Sequence, residues 1–306
     1  MKEVGIEGYR LENLPDDKQI ILEKILQLYR AEDRELWQQK AYSFAQSAQK
    51  HKKLLSEIIP LETTREITIK TATVLGLPLH VSDDYEGWLL KRLEKGISTH
   101  VVTMNAEMVM MARRNPQLAE VIKAADLVVP DGSGVVLYLR KKGIRQKRVA
   151  GIELAASLIQ KIGAKGEKYP VCFYGAAPGV AEKAAQFWQQ RVPSLNFICN
   201  HGYLSPSEMQ LWCRQIQAVQ PKLILVALGV PRQEIWIADH RHLVENAIWI
   251  GVGGSFDIWA GVKKRAPRFF QENHLEWLYR LYQEPHRWRR MLALPHFFWV
   301  ALLRDK

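Results

Sequence analysis

The stretch ADLVVPDGSGVV, residues 125–136, runs a short apolar segment straight into a carboxylate and two glycines. Its apolar part reads as a buried strand, and Asp131 stands where that strand surfaces, between Pro130 and the pair Gly132 and Gly134. Taken alone, Pro-Asp-Gly is ordinary turn chemistry. What separates a turn from a site is whether the neighbouring strands end in the same way.

Working outward, residues 66 to 261 alternate apolar runs with helical stretches. The strand candidates are ITIKTATVLG, STHVVTMN, DLVVPD, YPVCFYGA, NFICNHGY, LILVALG and AIWIGVGG. Helical stretches such as PGVAEKAAQFWQQRV and SPSEMQLWCRQIQAV stand between them. Near-continuous apolar runs indicate strands covered on both faces. The fold class is therefore α/β, with a doubly wound, mostly parallel, Rossmann-like sheet.

In such sheets ligands bind beyond the carboxyl ends of the strands. The residues just past the runs are Thr103 and Asn105, then Asp131, then Gly175 and Gly179. Gly229 and Gln233 follow the next run, and Gly253, Gly254 and Asp257 the last. Five strand ends carrying small or polar residues at one edge point to a site. The three glycine loops suit phosphate, because glycine lets backbone N–H groups approach an anion and the next helix adds its positive end.

A dinucleotide site is the nearest rival, and the sequence resists it. GVGGSF has Phe256 where the third glycine of GxGxxG belongs, and no acid lies between Glu182 and Glu208 to hold a ribose. Hydride chemistry is not expected, and no cofactor is. Metal motifs are missing too: there is no HExxH and no Asp-x-Asp, and DHRH at 239–242 reads as a solvated helix face. If a diphosphate leaves, arginines must offset its charge. Arg280, Arg287 and Arg290 are spaced by seven and three, and share a face where helix persists around Pro285. A basic helix face against lipid is the other reading of the same residues.

The flanks differ from this core. The chain has 306 residues, 47% hydrophobic and 25% charged, enough for a large α/β domain with appendages. Residues 1–65 hold eleven basic and eleven acidic side chains and read as a neutral helical extension suited to docking or self-assembly into a homo-oligomer. Residues 262–306 hold ten basic against four acidic side chains, a large share of the net +11, interleaved with nine aromatics. That pattern suits anionic lipid headgroups or nucleic acid. No helix-turn-helix or RNA-binding signature accompanies it, so nucleic acid is not an expected partner. Pro267, Pro285 and Pro295 are expected to cut this tail into short helices. Its most apolar run, LALPHFFWVALL, is interrupted by Pro295 and His296 and is too short to cross a bilayer. With no secretory pattern and three cysteines forming no CxxC pair, the expected location is the cytoplasm, on the inner face of the membrane.

The motifs TMNAEM, ADLVVPDGSGV, RVAGIEL, FYGAAPGVAEKAA, VALGVPRQEIWI, GVGGSFDIWAG, KRAP and LEWLYRLYQEPHRWRR run in order over residues 67–291. Together they resemble the WecG/TagA/CpsF glycosyltransferase family. The resemblance implies an α/β core, a C-terminal appendage that docks on a membrane, and a metal-independent inverting reaction. The typical reaction moves N-acetylmannosamine from a UDP-sugar donor to a polyprenyl-diphosphate-linked N-acetylglucosamine in surface polysaccharide assembly. It further implies Asp131 as general base, with Thr103 and Asn105 positioning the acceptor sugar or the base. Arg148 and Gln233 match site positions, and Arg280, Arg287 and Arg290 match tail arginines over the diphosphate. The alternative on the same scaffold is a non-catalytic nucleotide-binding, membrane-docking protein, which would not need Asp131.

Overall fold

Each strand candidate from 99 onward becomes a parallel strand, because parallel neighbours are joined by helices that must cover both faces of the sheet. The computed structural model describes residues 67–303, apart from 268, 271–274 and 286–287. The expected helical extension over 1–65 lies outside the described residues, as does Arg287.

Six strands form one sheet: β3 (Thr99–Met104), β4 (Leu127–Pro130), β5 (Val171–Gly175), β6 (Phe197–Asn200), β7 (Leu223–Ala227) and β8 (Ile248–Gly251). Their order is β4-β3-β8-β7-β5-β6, and every pairing is parallel. The run ITIKTATVLG does form a strand, but not in this sheet. β1 (Lys70–Val74) folds back antiparallel onto β2 (Leu77–Val81) as a separate two-stranded hairpin. Leu75 and Gly76, both at positive φ (48° and 88°), make the two-residue turn whose twist matches paired strands.

Helices cover both faces, as a doubly wound sheet requires. One face carries α1 (Tyr85–Glu94), α5 (Gly151–Gly163), α6 (Val180–Gln189) and α9 (Ser255–Trp259) over Val101, Leu127, Phe173, Leu225 and Ile250. The opposite face carries α2 (Ala106–Ala112), α3 (Pro116–Ala124) and α4 (Ser133–Lys141) at the β3/β4 end. At the β5/β7 end it carries α7 (Pro206–Val219) and α8 (Arg232–His240). Strand alternation divides the layers: Val101 and Thr103 face one way, His100, Val102 and Met104 the other. The three cysteines are free, and burial pushes the Cys199 thiol up to about 11.

The tail forms α10 (Glu276–Gln283), α11 (Trp288–Met291) and α12 (Ala293–Leu303). Pro285 falls between α10 and α11, as the sequence predicts, so Arg280 and Arg290 do not ride one continuous helix. Pro295 does not divide anything. It lies in the first turn of α12, where a missing N–H costs no helix hydrogen bond. LALPHFFWVALL is also not simply a surface segment: Phe297, Val300 and Ala301 are buried among α2, α4 and the β1–β2 hairpin. Phe297 has its ring centroid 6.0 Å from that of Tyr138. Phe297→Ala is expected to lower the unfolding free energy by about 3–5 kcal/mol. Trp299→Ala, at a side chain 64% exposed, should stay within roughly 0.5 kcal/mol in the same denaturant titration.

Candidate active site

The strand order places the ends of β4, β3, β8 and β7 side by side, and a cleft of about 260 Å³ opens above them. Thr103 and Asn105 enter it from β3, Asp131 from β4, Gly253 and Gly254 from β8, and Gln233 from α8 after β7. Arg148, in the segment between α4 and α5, lines it as well. Of the polar residues read from the strand ends, Thr103, Asn105, Asp131 and Gln233 thus come together in one cleft.

Each side chain is held by a local cause. Asn105 is the N-cap of α2, with its Oδ1 accepting the Met108 N–H at 2.9 Å, which leaves its amide hydrogens as donors. Thr103 is nearly buried, and its Oγ1 donates to the Gly251 carbonyl at 3.4 Å. The Asp131 N–H donates to the Met104 carbonyl at 2.8 Å, fixing the backbone that aims its carboxylate. Arg148 lies between two acids: its Nε is 3.7 Å from Asp131 Oδ1, and its Nη2 donates to Glu276 at the start of α10. Helices α4 and α5 begin at the cleft with N-caps, Gly132 and Ala150, that supply no capping side chain. Their positive ends, about half a charge each, therefore face this space with Arg148.

Asp257 does not line the cleft directly. It accepts from Lys263 Nζ at 2.8 Å, and the same ammonium reaches Glu284 at 3.1 Å. Burial opposes the Lys263 charge, but these two carboxylates prevail and hold its pKa above the usual lysine value. Gln283 Nε2 donates to the Lys264 carbonyl at 3.2 Å, so the last residue of α10 and the one after it both tie to the 262–266 segment. Lys263, Lys264 and Arg265 all line the cleft. These cations, with Glu276 and Glu284, were not singled out from sequence as site residues. KRAP holds Lys264 and Arg265, and LEWLYRLYQEPHRWRR holds both acids, but neither motif by itself shows that the folded tail brings these side chains to the cleft.

Gly175, Gly179 and Gly229 lie outside the cleft lining, on the strand ends that continue the same edge. Gly175 has a reason of its own. At φ +123°, a Cβ would stand 2.6 Å from the Ala227 carbonyl group of β7. Gly229 and Gly253 do not leave their N–H groups open, since both donate to Gln233 Oε1 at 3.1 Å. Arg280 and Arg290 fall on α10 and α11. Among the described residues no three His, Cys, Asp or Glu side chains gather as a metal site. In DHRH, Asp239 and His242 are exposed as predicted, but His240 stacks on Trp236 with ring centroids 4.4 Å apart.

A model of the WecG/TagA/CpsF glycosyl transferase family matches residues 72–306. The chain belongs to this family. Relatives include the N-acetylglucosaminyldiphosphoundecaprenol N-acetyl-beta-D-mannosaminyltransferase of Bacillus spizizenii, 38% identical over 70% of this chain and 82% of the relative. Proteins of the same name from Bacillus subtilis and Staphylococcus aureus are 32% and 36% identical. They cover 70% and 65% of this chain, and 83% and 78% of their own lengths. Three of the motifs build the cleft floor: TMNAEM ends β3, PDGSG links β4 to α4, and GVGGSFD links β8 to α9, whereas FYGAAPGVAEKAA lies outside the lining.

Gly175→Ala is expected to destabilise the protein by roughly 2–4 kcal/mol, because a side chain there meets backbone and adopts a disfavoured φ. Urea unfolding checks this, and a change below roughly 0.5 kcal/mol would remove the packing reason for this glycine.

Proposed function

We propose that this chain is an inverting glycosyltransferase that moves N-acetylmannosamine, or a related sugar, from a UDP-sugar to a polyprenyl-diphosphate-linked N-acetylglucosamine during cell-surface polysaccharide assembly. The observation that carries the reading is the Asp131 carboxylate at the end of β4, in one cleft with Thr103, Asn105 and Arg148. The names of the relatives supply the substrate class.

In the proposed step, Asp131 takes the proton of the acceptor hydroxyl as that oxygen attacks the anomeric carbon. The bond from that carbon to the diphosphate breaks on the opposite side, and UDP leaves with the bonding pair. From an α-linked nucleotide sugar this displacement yields a β-linkage, the configuration in the relatives' names. Thr103 and Asn105 border the acceptor, while the donor runs along the β8, β7 and β5 ends past Gly253, Gly254, Gly229, Gly175 and Gly179. Arg148, the uncapped starts of α4 and α5, and the tail residues Arg280, Arg287 and Arg290 offset the diphosphate charge.

The tail gives a second part to the reading: it docks the enzyme on an anionic membrane where the lipid-linked acceptor resides. Tyr282, Trp288, Leu292, Phe298 and Trp299 are exposed amid a basic segment. Among the described residues no helix is long and apolar enough to cross a membrane. Peripheral attachment by amphipathic surface fits both observations.

Asp131→Asn should lower the transfer rate by about 10²–10⁴-fold while UDP still binds, the usual weight of a general base. Turnover near wild type would take Asp131 out of the chemistry. For the tail, a Trp288→Ser, Leu292→Ser, Trp299→Ser variant should lose binding to anionic vesicles yet retain transfer to a short-chain acceptor in solution. Each side chain removed forfeits about 1.5–3 kcal/mol of apolar burial at the lipid surface. Unchanged sedimentation with vesicles would rule this face out as the docking surface.

A further inference from the structure

The first turn of α8 buries an amide and a carboxylate side by side: Gln233 is 2% exposed and Glu234 is 0%. Groups this polar are buried only with their partners arranged. Gln233 Oε1 accepts two backbone N–H groups, from Gly229 after β7 and Gly253 after β8, each at 3.1 Å. Gln233 Nε2 donates to Glu234 Oε1 at 2.9 Å. The other Glu234 oxygen lies 3.0 Å from Nε2 of His100, a buried residue on β3, the strand that leads to Thr103.

This arrangement permits one orientation of the Gln233 amide. Turned over, it would set Nε2 against two N–H donors and Oε1 against a carboxylate oxygen. In the observed orientation both lone pairs of Oε1 are engaged, and Nε2 gives one hydrogen to Glu234 while no second acceptor stands among the described residues. Gln233 lines the cleft. It takes up the N–H groups of two glycine loops and has an N–H of its own to offer a ligand. Gly251 keeps room for the pair, since a Cβ there would stand 2.3 Å from Gln233 Nε2 and 2.4 Å from Glu234 Oε1.

We propose that Glu234, backed by His100, is a positioning residue that locks Gln233 as a hydrogen-bond donor to an oxygen of the UDP portion of the nucleotide-sugar, while fixing the loops after β7 and β8 in one frame. The inference rests on reading the cleft as a UDP-sugar site. It gives Gln233 a definite part: its side-chain N–H donates to an oxygen of the UDP portion.

The test is UDP affinity by calorimetry for wild type, Glu234→Leu, Glu234→Gln and Gly251→Ala, each with Gln or Ala at 233. Residues in one hydrogen-bond network show non-additive effects, so with Gln233 present Glu234→Leu and Gly251→Ala should each weaken UDP by about tenfold. With Ala at 233 neither should add more than about twofold, since the effect passes through Gln233. Glu234→Gln still accepts from Gln233 and reaches His100, so it should stay within about threefold of wild type. Gly251→Ala presses first on the ends of the Gln233 and Glu234 side chains, and so serves if Glu234→Leu does not fold. Equal weakening with Ala at 233, no weakening with Gln at 233, or a Glu234→Gln loss as large as that of Glu234→Leu would overturn the proposal. A wild-type protein that binds no UDP would overturn the reading of the cleft itself, and this inference with it.

Discussion

The parallel pairing of β8 between β3 and β7 is the constraint on which the cleft depends. Thr99 pairs with Ile248 and Val101 with Ile250 on one side, and Leu223 pairs with Ile248 on the other. Only through this insertion do the loop after β8 and the loop after β3 become neighbours, though they are far apart in sequence. β4 pairs on the outer side of β3, with Met104 opposite Pro130, and so carries Asp131 to the same edge. A parallel sheet buried on both faces gives little freedom for register slip, because a slip by one residue would turn every apolar side chain to the wrong layer. The position of the carboxylate is thus set by core packing as much as by its own loop.

Most of this frame is legible in the sequence. The strands of the large sheet read as apolar runs, because both faces are covered, and the residues after the β3, β4 and β8 runs are the ones that meet the cleft. The hairpin strand β2 is less legible, since Pro78 and His80 interrupt its apolar pattern, and its partner β1 then passes for a sheet strand. The glycines show a different limit. Gly175 reads as a phosphate-loop residue, yet close approach of the β7 backbone also demands it. Gly229 and Gly253 read as open N–H donors, yet Gln233 occupies both. A one-dimensional pattern reveals that a backbone group is accessible to something, but which partner takes it depends on tertiary neighbours.

Charge at the cleft follows the same logic. Arg148 is flanked by Asp131 and Glu276, and Lys263 by Asp257 and Glu284. Two acids from the α10 region therefore hold two cations of the cleft rim, so the tail is joined electrostatically to the site as well as packed on the core through Phe297. An anionic ligand entering the cleft meets these cations already paired, and its binding must exchange carboxylate contacts for phosphate contacts. The composition reports the tail as basic and aromatic; it takes the fold to show that Glu276 and Glu284 face the cleft.

The most direct measurement of the central claim is a crystal structure with UDP and a short-chain N-acetylglucosamine diphosphate lipid bound together. The account predicts the attacking hydroxyl within about 2.6–3.2 Å of the Asp131 carboxylate, the reach a general base requires. An acceptor seated with that hydroxyl beyond reach of Asp131, against Glu107 or another carboxylate instead, would contradict it.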